Sequence, residues 1–297
     1  MTSEVTLTGI NEAPPRVSEW QRFRRVFFSR GVVVFGLVVI LLMILIAMIG
    51  PWIAPYDPYQ TNLRSALQGP SVAHWLGTDY VGRDTFTRIL YGARTSLRIG
   101  LSVVAFASLI GMTLGSLAGY YGGWTYTIIM RFIDAMMSFP MLLMALVIAA
   151  LLGGGERNVI IALSISLMPM YARLMCGQVL SVKEHDYVLA AKSIGASDLR
   201  IIARHVFVNC LAPLIVLMTM QLGNVILSEA SLSFLGIGIQ SPTAAWGSMV
   251  NDGRDYMLRL PILTVAPGFA IMLVVYAFNM VGDGLRDALD PGLRGRL

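Results

Sequence analysis

The sequence predicts an all-α integral membrane protein with six transmembrane helices, and three observations carry that prediction. Of the 297 residues 56% are hydrophobic and 13% charged, where soluble domains hold roughly 25% charge. Apolar stretches near the roughly 20 residues that cross a bilayer as helix recur at 31–50, 99–119, 135–155, 158–182, 206–228 and 260–282. Arg173 is the one charge that interrupts them. Lys and Arg are also unevenly shared: with both termini on one side, that side holds fourteen of the 22 and the other eight. The bias places both termini in the cytoplasm.

Taken in order, residues 1–30 form a cytoplasmic segment ending in SEWQRFRRVFFSR. At helical spacing this puts Trp20, Phe23 and Phe27 on one face and Arg22, Arg24 and Arg25 elsewhere. That pattern suits a helix lying in the membrane interface, or an anchor that only sets orientation. The first apolar run begins after 30 residues and no small-residue cleavage site follows, so it is expected to stay as a span. Residues 31–98 then comprise this span and an extracytoplasmic loop. In the loop Phe86, Ile89, Leu90, Ala93 and Leu97 recur at helical spacing, which predicts an amphipathic helix leading into the second span. Asp84 and Arg88 are spaced to pair on it.

Residues 99–285 form the core. Gly111, Gly115 and Gly119 repeat every four residues, a stripe that lets helices approach closely. Pro140, Pro169, Pro213 and Pro267 are expected to kink their spans. Asp134 is spaced to pair with Arg131, and Arg173 lies close enough to a span end to snorkel. Polar groups inside spans are the default candidates for a pathway or gate, which singles out Gln221, Asn224 and Glu229. Residues 286–297 form a cytoplasmic tail.

Several chemistries are excluded. Cys176 and Cys210 lie in or beside predicted spans, and the three histidines show no metal-ligand spacing. No nucleophile elbow and no HExxH occurs, and the net charge of +5 is what basic cytoplasmic loops produce, with nothing further pointing to nucleic acid. ATP hydrolysis in this chain would need GxxxxGK[ST], whose backbone amides cradle the phosphates. Neither lysine fits: Lys183 precedes Glu184, and Lys192 follows Ala191 with Asp186 where the first glycine belongs. The chain is not an enzyme of that kind.

One polar island remains, HDYVLAAKSIGASDLRIIARH at 185–205, within a cytoplasmic loop at 183–205. Asp186 to Ile194 are good helix formers, Gly195 suits a left-handed stop, and Ser197 suits the cap of a second helix with Asp198 in its first turn. Ala190 and Ala191 leave little bulk on the first helix, so another protein's groove can approach its backbone. Physical chemistry alone leaves two readings, a solvated connector and a docking surface.

The island resembles the EAA loop of binding-protein-dependent ABC importer permeases, in which two alanines, three residues and a glycine recur. Leu189 stands where that pattern has Glu and Val208 where it has Pro. LGTDYVGRDTFTRILYGARTSL at 76–97, LSEASLSFLGIGIQSPTAAWGSMVNDG at 227–253 and FNMVGDGLRDALDPGLR at 278–294 are similar to the C-type subunit of the dipeptide, oligopeptide and nickel permeases. The resemblance implies a type I ABC importer transmembrane domain in the cell's inner membrane. It also implies a homologous permease partner, two ATPase subunits that bind ATP and Mg, and an extracytoplasmic substrate-binding protein. This chain would hold no cofactor or metal. Asp186, Tyr187, Ala190, Ala191, Lys192, Gly195, Ala196 and Ser197 would form the coupling helix that docks on an ATPase. Short peptides are the expected cargo, with glutathione, nickel chelates or oligosaccharides as alternatives. An ion-coupled secondary transporter is the rival of a different class, but no series of ionisable groups at several depths supports it.

Overall fold

The structure is a computed structural model in which residues 18–289 are described. The flanking segments 1–17 and 290–297, with Arg16, Arg294 and Arg296 of the charge count, lie outside the described residues. Among the described residues there is no strand. The helices are α1 (Glu19–Phe27), α2 (Gly31–Ile53), α3 (Thr85–Tyr121), α4 (Gly123–Met137), α5 (Met141–Leu152), α6 (Glu156–Val182), α7 (Asp186–Ser193), α8 (Asp198–Ile201), α9 (Phe207–Phe234), α10 (Trp246–Arg254) and α11 (Ile262–Leu289).

Five helices are long and apolar enough to cross a membrane: α2, α3, α6, α11 and the run from α8 through α9. A sixth crossing exists only as the α4 and α5 pair, bent by 90°. The third span expected over 135–155, with a kink at Pro140, is thus a sharp break between two helices. Pro140 is extended (ψ 130°) at the start of α5 and has no N–H to continue the α4 ladder. The second span runs the other way: the amphipathic lead-in and the apolar run form one helix of 37 residues, α3. The end of its lead-in is marked by Arg98, whose Nη2 donates to Glu156 Oε2 at 2.6 Å, joining α3 to the start of α6.

The glycine stripe explains the closest helix pair. A Cβ on Gly111, Gly115 or Gly119 would come within 2.6 Å of Met168 O, 2.4 Å of Ala172 O and 2.8 Å of Val179 Cβ, all on α6. Without those methyls the α3 and α6 backbones meet, and Ile99, Val103, Ala107, Leu163, Leu167, Tyr171 and Met175 fill one buried core beside them. A second core joins α2 and α11. Onto it α1 packs Phe23 and Phe27, which stack at 5.6 Å, while Trp20 stacks on Phe23 at 5.7 Å and stays exposed. Phe27 is buried and Arg30 Nη1, at the start of α2, lies 2.8 Å from Asp287 Oδ2, so the junction of α1 and α2 is clamped to the end of α11.

Two expected ion pairs are re-partnered. Asp84 caps α3 by accepting from Thr87 N at 2.8 Å and meets His74 Nδ1 at 2.9 Å. Its carboxylate thus turns back over the helix end and away from Arg88, which donates instead to Pro58 O and Pro242 O at 3.0 and 3.1 Å. Asp134 pairs with Arg173 on α6 and not with Arg131 on its own helix.

At the end of the bundle opposite α7, the chain buries a charge network. Asp79 Oδ2 accepts from Arg83 Nε at 2.6 Å and lies 3.8 Å from Arg88 Nε, while Arg83 Nη2 lies 3.7 Å from Asp252 Oδ2. Burial pushes the Asp252 carboxyl above the usual range, against the pull of Arg88 and Arg83. Gly82 is required there: its φ is +81° and a Cβ would overlap Asn62 O at 1.8 Å. Trp246 of α10 donates Nε1–H to Ile89 O at 3.0 Å, fastening this cap to α3.

Candidate functional site

The island folds as helix, glycine turn, helix. His185 is extended at the start of α7, Asp186 lies in its first turn and Lys192 in its last, each sign matching the helix dipole. The helix closes where Gly195 N donates to Lys192 O at 3.0 Å and Ala196 N to Ala191 O at 3.1 Å. This closure needs the φ of +81° at Gly195, where a Cβ would meet open space. The glycine therefore serves the backbone turn and not a close approach within this chain. Ser197 is extended before α8 but its side chain makes no capping bond. A π-helical turn at Ile202–Val206 joins α8 to α9.

The segment is rooted in the core. Val188, Ala191 and Ile201 are buried in the main cluster. Tyr120 donates its hydroxyl to Asp198 Oδ1 at 2.8 Å and Lys183 Nζ donates to Gly119 O at 3.0 Å, both bonds tying the segment to the end of α3. Outward stand Tyr187, Leu189, Ala190, Lys192 and Ser193, with Ile194 at 85% and Leu199 at 77% exposure. Apolar side chains so exposed outside the spans make this segment a candidate contact patch. Two expectations change. Ala191 points into the permease, where its small size seats α7 against the core, so it is not part of the outward face. Ile194 and Leu199 are exposed apolar residues that sequence reasoning did not single out; their signal was two large apolar side chains flanking a glycine in a polar stretch.

The pathway candidates separate. Gln221 donates to Met170 Sδ at 2.7 Å and accepts from Asn224 Nδ2 at 3.0 Å, and Asn224 is exposed. Glu229 is buried at 1% exposure, so it does not line an open path in this structure. Its Oε1 accepts from Ser233 Oγ at 2.8 Å, and Ser233 Oγ in turn accepts from Ile239 N at 2.9 Å. The helix continues to Phe234, past the predicted end of the span, and carries Glu229 inside the fold.

Residues 111–295 match the family described as binding-protein-dependent transport system inner membrane component, and residues 18–70 match the N-terminal TM domain of oligopeptide transport permease C. The chain belongs to this family of transport permeases. It is 44% identical to the dipeptide transport system permease protein DppC of Alkalihalophilus pseudofirmus over 289 residues, 96% of this chain and 95% of that one. It is 45% identical to the glutathione transport system permease protein GsiD of Escherichia coli over 280 residues, covering 93% and 90% of the two chains. A structure of the MetNI methionine ABC transporter in inward-facing conformations aligns at a TM-score of 0.55 and 16% identity, covering 68% of this permease and 96% of that chain. The likeness is one of fold, that of a type I ABC importer transmembrane domain, and the chain is a membrane permease subunit of such an importer.

Proposed function

We propose that this permease forms half of the translocation path of an ATP-driven importer of short peptides, paired with a homologous permease. An extracytoplasmic binding protein delivers the peptide to the end that carries α10. Two ATPase subunits, which bind ATP and Mg, dock at the end that carries α7. Both termini are then cytoplasmic, in line with the Lys and Arg bias. ATP binding draws the ATPases together, the α7 to α8 segment moves with them, and α3 and α9 carry that motion into the spans. Hydrolysis resets the cycle. Relatives named for a dipeptide and for glutathione support a short peptide as cargo.

The observation that carries this reading is the outward patch of Tyr187, Leu189, Ile194 and Leu199 on an element rooted in the core by Val188, Ala191 and Ile201. A solvated connector gains nothing from that arrangement. The test is isolation of the tagged permease from native membranes in mild detergent, with mass identification of what accompanies it. A second permease and P-loop ATPases are expected in the wild type, and the ATPases alone should be lost from Ala190→Trp and Ile194→Asp. Recovery of this chain without ATPases, from cells that express them, would overturn the reading in favour of an ion-coupled transporter.

A further inference from the structure

Within the spans, one pair of charges is only half covered. Arg173 on α6 donates to Asp134 on α4, and their side chains remain 51% and 47% exposed. Arg173 lies nine residues before Val182, about 14 Å along the helix from its end, which is membrane depth. Met170, Arg173, Gly177 and Leu180 are all exposed and follow one face of α6 at helical spacing. The amide pair of Gln221 and Asn224 on α9 reaches this stripe at Met170, three residues before Arg173. A half-exposed ion pair at this depth favours water or protein over hydrocarbon on the stripe. Asp134 also stands four residues before Ser138, where α4 ends and the chain turns by 90° into α5.

We propose that Asp134 and Arg173 form a charged subsite on the translocation path, which takes a zwitterionic solute with its carboxylate on Arg173 and its ammonium on Asp134. The inference rests on the import reading above and names a place where the cargo is handled. Opposite charges side by side select a solute that carries both. Such a solute replaces both partners of the ion pair at once, whereas a singly charged one leaves a carboxylate or a guanidinium bare. Because the pair ties α4 to α6, its exchange onto the solute also frees α4 beside the bend. Between solutes the pair closes on itself, and this is the state the structure shows.

The test uses the complete transporter in proteoliposomes with its binding protein and a labelled dipeptide. Arg173→Gln and Asp134→Asn are each expected to lower ATP-driven uptake about tenfold or more, the loss of one charge-assisted hydrogen bond, while ATP hydrolysis persists. The exchange Asp134→Arg with Arg173→Asp is expected to stay low, because the solute is handed over in one orientation. Restoration by the exchange would show a merely structural ion pair and overturn the subsite. Gly177→Cys leaves the pair intact and adds a thiol where a Cβ meets nothing within 4 Å, while both native cysteines are buried. A charged, water-borne thiol reagent is expected to label it in one nucleotide state and more slowly during peptide turnover. No labelling in any state would place the stripe under the partner permease and overturn the proposal. Absence of wild-type uptake would instead strike the import reading itself.

Discussion

Gly115→Ala and Gly177→Ala make the same chemical change on two helices that touch, with opposite expected signs. At Gly115 the new Cβ would lie 2.4 Å from Ala172 O, 2.8 Å from Met175 Cβ and 3.0 Å from Cys176 N. Two of these are backbone atoms of α6, so no side chain can swing aside. Bringing the shortest contact to the 3.4 Å of ordinary packing parts the helices by about 1 Å. A gap of that size forfeits roughly a quarter to a half of each facing dispersion well, and overpacked cores cost about 1–3 kcal/mol. Replacing a mid-helix glycine returns about 0.5–1 kcal/mol, leaving a net loss of about 1–2 kcal/mol. At Gly177 nothing lies within 4 Å, so only the gain remains. The two variants should differ by about 2 kcal/mol. Thermal unfolding of the detergent-purified protein, followed by tryptophan fluorescence, reads the difference as Tm shifts of opposite sign. Equal stability of the two variants would refute the claim that the stripe on α3 is what seats α6.

Three further outcomes are expected. Gly195→Asp should insert and fold but uncouple ATP hydrolysis from peptide uptake in proteoliposomes, because it strains the left-handed turn between α7 and α8 without touching the core; uptake at the wild-type rate would contradict the coupling role. Asp79→Asn removes the carboxylate between Arg83 and Arg88 and should cost about 3–5 kcal/mol, the penalty of leaving buried charge unpaired, measured by denaturant unfolding. Asp252 has its carboxyl raised in the folded state, so its protonated form is the one folding favours, and that contribution is lost as pH rises through the raised value. Asp252→Asn should therefore stabilise the protein relative to wild type at neutral pH, with the gain vanishing in acid below the ordinary aspartate range; a gain that persists there would point to packing instead.

Most of the helical plan was legible because its signals are local. A run of apolar residues, a glycine every fourth position and a Gly195 that ends one short helix before another begins each depend on a few neighbours in the chain. The island was likewise readable as helix, turn, helix. Which of its residues face outward was not, since Ala190 and Ala191 are adjacent and equally small. Only the packing of α7 on the core turns one out and the other in.

Ion pairs mark the limit most clearly. Asp134 has Arg131 within reach on its own helix, yet it pairs with Arg173, 39 positions away, because α4 lies against α6. Asp84 has Arg88 one turn ahead, yet it caps the start of that same helix and meets His74. Local spacing says which partners are reachable, and tertiary geometry supplies competitors that spacing cannot see. Pro140 was visible as a break, but not that the chain would turn through 90° there and divide one span into two helices. By itself the sequence determined how much of this protein lives in lipid, which stretches of the chain are helical, and that Gly111, Gly115, Gly119 and Gly195 serve the backbone. The tertiary structure decided which charges neutralise one another and which side of each helix is buried, because both depend on elements brought together from distant parts of the chain.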